Sequence, residues 1–209
     1  MKKKIISMLI CILFISSINV LAGNLNEPEI TDVTGDAYGY LDIHSVWFFE
    51  DENEPDYLFV AMKINEPSYY KFQQTFSVFW KYKNEEYACG LNLGFGLGED
   101  WAESSAGKYV NRAPHGGPDY YNNLEIGVYS LEDGIITWKI PKELIGNPQK
   151  DDVLTDTWSN AFRRLGFLGR IGFSRPILNS IIYIVLGNSL WDHAPDNYGE
   201  YGRDYIIKF

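Results

Sequence analysis

Tyr57-Leu58-Phe59-Val60-Ala61-Met62-Lys63-Ile64 decides how this chain reads. Leu58, Val60, Met62 and Ile64 alternate with Tyr57, Phe59, Ala61 and Lys63. Apolar residues at a period of two, rich in β-branched and aromatic types, mark a strand with one buried face. Thr75 to Tyr82 repeats the pattern, with Phe76, Val78, Trp80 and Tyr82 on one side. A turn near Lys83-Asn84 leads into 86–93, where Tyr87, Cys89, Leu91 and Leu93 alternate, and the two runs read as a hairpin. A second hairpin is expected at Asp133-Gly134, between 124–131 and 135–140. Asp-Gly supplies the positive φ angles of a type I′ turn, whose twist matches that of the strands. Further strand patterns fall at 43–49, 153–162, 181–186 and 205–209. One helical turn is expected, Pro141 to Ile145, with proline at its start. Many short strands without alternating helices predict an all-β fold, an antiparallel β-sandwich of jelly-roll type.

The chain has 209 residues, is 45% hydrophobic and 16% aromatic, and carries a formal net charge of −10. The aromatic content argues against wholesale disorder, and the acidity argues against a nucleic-acid-binding face. Lys2, Lys3 and Lys4 precede an apolar run from Ile5 to Val20, and Val20-Leu21-Ala22 suits a signal peptidase. This predicts a signal peptide over 1–22, an exported protein and one β-sandwich domain over 23–209. Asn24 stands where a lipidated cysteine would be needed, so no lipid anchor is expected. Cys11 lies in the leader, which leaves Cys89 without a disulfide partner and reads it as a small core residue.

Two stretches break the strand pattern. Gly94 to Pro118 is rich in Gly, Ser, Asn and Pro and reads as a long loop. Thr157 to Trp191 has no Asp or Glu but holds Arg163, Arg164, Arg170 and Arg175 among apolar residues. Within it, residues 163–190 are a candidate docking surface for a membrane or a cell-surface partner. Catalytic signatures are missing. There is no His-Glu-x-x-His and no Cys-x-x-Cys, and Pro176 spoils the one partial nucleophile elbow, Gly172-Phe173-Ser174-Arg175-Pro176. With no identifiable nucleophile, the chain reads as non-catalytic.

The most specific chemistry joins the two ends. Asp32, Asp36 and Asp42 lie near the start, and Asp192 and Asp196 near the end, each group among Gly, Asn and Thr. Clustered carboxylates on flexible turns suit calcium, a hard cation that takes oxygen ligands in adaptable geometry. Asp32, Thr34 and Asp36 match the first positions of an EF-hand, but Ala37 and Ile43 break it. The expectation is that the first and last strands lie side by side and that Asp36, Asp42, Asp192 and Asp196 share a calcium ion.

Asp36-x-x-Gly39-Tyr40-x-Asp42-Ile43, the strand from Tyr57 to Met62, and Ile136-Thr137-Trp138-Lys139-Ile140-Pro141 resemble family 9 carbohydrate-binding modules and related DOMON-like sandwiches. The ending Ala194-Pro195-Asp196 with Gly202-Arg203-Asp204-Tyr205-Ile206-Ile207 is similar to the tail of small exported prokaryotic proteins of this type. The resemblance implies two antiparallel sheets, often with structural calcium, and a ligand that is a sugar in some relatives and haem b in others. A sugar platform would draw on Trp101, Tyr109, Tyr120 and Tyr121, since CH-rich sugar faces stack on aromatic rings. A haem site would draw on Met62 and His115 as axial ligands.

Overall fold

The computed structural model describes residues 24–37, 39–65, 73–95, 100–110, 117–118, 129–130, 133–164, 191–197 and 199–209. The expected leader at 1–22 and the strand expected at 181–186 lie outside these residues. The strands are β1 (Ile30–Thr31), β2 (Ile43–Phe49), β3 (Tyr57–Ile64), β4 (Gln73–Tyr82), β5 (Glu85–Phe95) and β6 (Asp100–Val110). They continue with β7 (Gly117–Pro118), β8 (Tyr129–Ser130), β9 (Ile135–Pro141), β10 (Val153–Arg164), β11 (Trp191–Ala194) and β12 (Tyr205–Ile206). One 3₁₀ turn, Lys142–Ile145, is the helical element among the described residues.

The first sheet runs β1-β2-β3-β9-β8 and the second β11-β10-β4-β5-β6-β7, with β12 also paired to β10. Every described pairing is antiparallel. The alternation read from the sequence sets which faces meet. In the first sheet Phe48, Val60 and Trp138 stand in register, as do Val46, Met62 and Ile136. In the second, Val78, Cys89 and Ala106 share a register row. These side chains merge into one buried cluster between the sheets, and Phe48 meets Trp80 edge-on across it at 5.7 Å. Each large apolar side chain so buried contributes about 1.5–3 kcal/mol. The all-β sandwich is therefore the fold.

Cys89 is fully enclosed in this cluster, and burial pushes its thiol pKa well up. Met62 is also fully buried there.

The β4–β5 hairpin closes with Tyr82 opposite Glu85. Lys83 and Asn84 both have positive φ, 49° and 66°, which is a two-residue type I′ turn. The β8–β9 hairpin differs from expectation. Ser130 pairs with Ile135, so four residues separate the strands, and Gly134 has positive φ while Asp133 does not. The connection is thus longer than a two-residue type I′ turn, and Asp133 and Gly134 are its last two residues.

The long loop expected over 94–118 is also corrected. Asp100–Val110 forms β6, paired along its whole described length with β5 or β7. Its residues facing the core include Ser104 and Ala106, opposite Leu91 and Cys89. Small side chains suffice there because β5 supplies the bulk, so pairing rather than intrinsic propensity makes the strand.

The closing segment joins the two sheets. Gly202 N–H donates to the Thr157 carbonyl of β10 at 2.7 Å, and Arg203 N–H donates to the Glu29 carbonyl just ahead of β1 at 2.7 Å. The first and last strands therefore come near each other through flanking residues, while β1 itself pairs with β2 and β12 with β10. Only glycine fits at 202, since a Cβ there would lie 2.5 Å from the Glu29 carbonyl oxygen and 2.6 Å from Thr157 Oγ1.

Candidate cation site

Asp42 immediately precedes β2 and is 1% exposed. Its Oδ2 accepts the Gly35 N–H at 2.8 Å and the Asn65 side-chain amide at 2.8 Å. Gly35, at φ 95°, turns the loop back over this carboxylate. Asp42 Oδ1 is buried and has no hydrogen-bond partner.

Asp192 comes from the other sheet. On β11 it stands opposite Ala161, a core residue, so its carboxylate points between the sheets. Its Oδ2 accepts the Ile43 N–H of β2 at 2.6 Å, and its Oδ1 accepts the N–H of His193 at 2.8 Å. Asp36, exposed on the loop, completes the group. One carboxylate oxygen from each of Asp36, Asp42 and Asp192 lies within 4.8 Å of the others. Oxygens sharing a calcium ion sit about 2.4 Å from it, hence at most about 4.8 Å apart. The trio meets that limit.

Two more acids border it. Asp196 lies beside both Asp36 and Asp32 and interacts with each. Both Asp32 carboxylate oxygens are buried, and among the described residues no N–H or hydroxyl donates to them. Burial, followed by the charges of Asp192, Asp196 and Asp36, pushes its pKa up to about 9. Asp192 is pushed up to about 6, by burial first, with the Ile43 N–H opposing and Asp36 and Asp42 adding to the rise. Asp36 is raised by desolvation and by Asp196. Like charges gathered in a partly buried site oppose ionisation, and a divalent cation reverses that penalty.

All four acids named from the sequence thus fall in one neighbourhood. Asp32, read from the sequence in the same cluster but not among the four expected ligands, borders them.

Two members of the expected aromatic platform lie in a strand, not in a loop. Trp101 lies in β6 opposite Gly94, and Tyr109 lies in β6 opposite Pro118. Tyr109 packs edge-on to Phe79 at 5.3 Å, and burial raises its hydroxyl pKa. Tyr120, Tyr121 and His115 lie outside the described residues, as do residues 165–190 of the docking stretch.

A different aromatic group occupies the second sheet's outer face. Trp158 of β10 stacks on Phe79 at 3.9 Å and on His193 of β11 at 5.2 Å. Asn160 stands in the same register row as His193 and Ser77, and its Oδ1 is buried without a partner. Trp191, two positions before His193 on that face, is 47% exposed. Among the described residues no helix is long and apolar enough to cross a membrane.

No family model matches the chain, and neither a curated protein nor a solved structure is significantly similar to it.

Proposed function

We propose that the protein is an exported, non-catalytic binding module in which a divalent cation staples the two sheets. The observation that supports this is Asp42 Oδ1, a buried carboxylate oxygen without a partner in a group that gathers one oxygen from each of three acids. The donors are all oxygen, with neither thiolate nor imidazole among the three, which favours calcium over zinc. Asp42 belongs to the first sheet's side and Asp192 to the second, so the ion would hold both. Saturating calcium stabilises a site of this kind by about 2.7 kcal/mol at a hundred times the dissociation constant. For a chain of this length that moves the melting midpoint by roughly 5–10 °C. Calorimetric titration with calcium chloride and melting in EGTA check the reading. No binding heat together with an unchanged midpoint overturns it.

The ligand class we assign is a glycan, on the outer face of the second sheet. Trp191, 47% exposed, offers ring surface, while half-buried Ser77 and Asn92 on the same face offer polar side chains. Sugars are held by this combination of ring stacking and directed polar contacts. Glycan-array binding by the wild type, lost in Trp191→Ala with its melting midpoint kept, is the expected result. An array without any retained sugar sinks the assignment.

A further inference from the structure

Among the described residues strand β11 borders the second sheet, with four register pairs to β10 from Ser159↔Ala194 to Phe162↔Trp191. So short an edge strand gains little from its own pairing. Its side chains point in two directions with different consequences. His193 faces outward and stacks on Trp158, and its ring Nδ1 lies 2.8 Å from the Pro195 carbonyl oxygen. Asp192 faces inward, where the Ile43 N–H of β2 holds it and where Asp36 and Asp42 approach it. The inward anchor of β11 is therefore a carboxylate surrounded by carboxylates. Asp42, whose Oδ1 is buried without a hydrogen-bond partner, belongs to the same group.

We propose that the cation is a latch for β11: bound, it fixes the strand against both sheets, and released, it lets β11 lift from β10 while the rest of the sandwich stays closed. The inference rests on the cation reading above and adds a consequence to it. The hairpin of β4 and β5 is held by ladder pairs on both sides of β4, so it stays closed in either state. Lifting β11 uncovers the backbone N–H and C=O groups of β10 along Ser159 to Phe162. An uncovered edge of that kind accepts another extended strand.

Amide exchange read by mass spectrometry on the full protein, in calcium and in EGTA, tests the latch, with calcium affinity measured in parallel by titration. The expected result is exchange at least tenfold slower in calcium for peptides spanning Trp191 to Ala194, with little change across Phe76 to Leu91. Asp42→Asn removes a proposed ligand without altering β11, and its β11 exchange should be fast in both conditions. If calcium binds but slows exchange equally everywhere, or leaves β11 unchanged, the latch is overturned and the cation site stands. If calcium does not bind at all, both readings fall.

Discussion

Lys142 and Glu50 form an ion pair of 2.6 Å whose side chains are 5% and 0% exposed. Lys142 sits in the 3₁₀ turn after β9, and Glu50 directly follows β2. The pair also gathers the closing segment. Glu50 Oε2 accepts the Lys208 N–H at 2.7 Å and the Tyr205 hydroxyl at 3.2 Å, while Lys142 Nζ donates to the Phe209 carbonyl at 2.6 Å. Removing one partner of such a pair leaves the other charge buried alone. Lys142→Met is therefore expected to cost about 3–5 kcal/mol. Urea unfolding measures it, and a loss comparable to that of an exposed pair would show that water reaches the site.

Gly202 is the second place where a single change should be felt. An added methyl meets the Glu29 carbonyl, Thr157 Oγ1 and Ile30 Cγ1, all within 2.7 Å, and two of these belong to different sheets. Gly202→Ala must push the closing segment off one of them, at about 1–3 kcal/mol. A melting midpoint equal to wild type would mean that the segment shifts freely.

Glu29 gives a pH dependence with a definite sign. Burial raises its pKa above the ordinary carboxylate value, and the hydrogen bond from the Phe48 N–H opposes the rise. A folded value above the unfolded one means that this group's contribution to stability is complete below the unfolded pKa. It is lost as pH rises through the folded value. Glu29→Gln keeps an oxygen for the Phe48 N–H and cannot ionise. It should melt above wild type near pH 7, with the gap narrowing towards about pH 3.5. Thermal melts at the two pH values decide, and a gap independent of pH counts against the account.

Asp32 should respond oppositely to most buried-residue changes. It carries two buried carboxylate oxygens beside three other acids. Asp32→Asn removes a carboxyl that must take up a proton on folding near neutral pH, because burial and its acidic neighbours raise its pKa to about 9, and it supplies an amide that Asp196 can accept from. In EGTA the variant is expected to melt higher than wild type. A lower midpoint would indicate that the Asp32 carboxylate is itself needed by the fold.

The sandwich was legible in the chain because β2, β3, β4 and β5 alternate cleanly, and period two survives translation into faces. β6 was hidden because its core-side positions hold residues such as Ser104 and Ala106, whose role depends on the large β5 side chains opposite. The acidic group was legible from composition, since Asp on turns at both ends has few uses. The Lys142–Glu50 pair was not, because nothing local to either residue announces a partner so distant in sequence. The stack of Phe79, Trp158 and His193 was hidden for the same reason. It exists only once β10 pairs with β4 and β11.

Cys89 turns the core into its own reporter. Its thiol has no exposed surface in the native fold, and its thiolate is suppressed by the apolar surroundings. Because β5 lies between β4 and β6, no fraying edge brings that sulfur to solvent. A thiol reagent can therefore mark this position only in molecules that have opened the sandwich as a whole. The rate of labelling at Cys89 under native conditions counts those openings one molecule at a time, without denaturant and without altering the sequence.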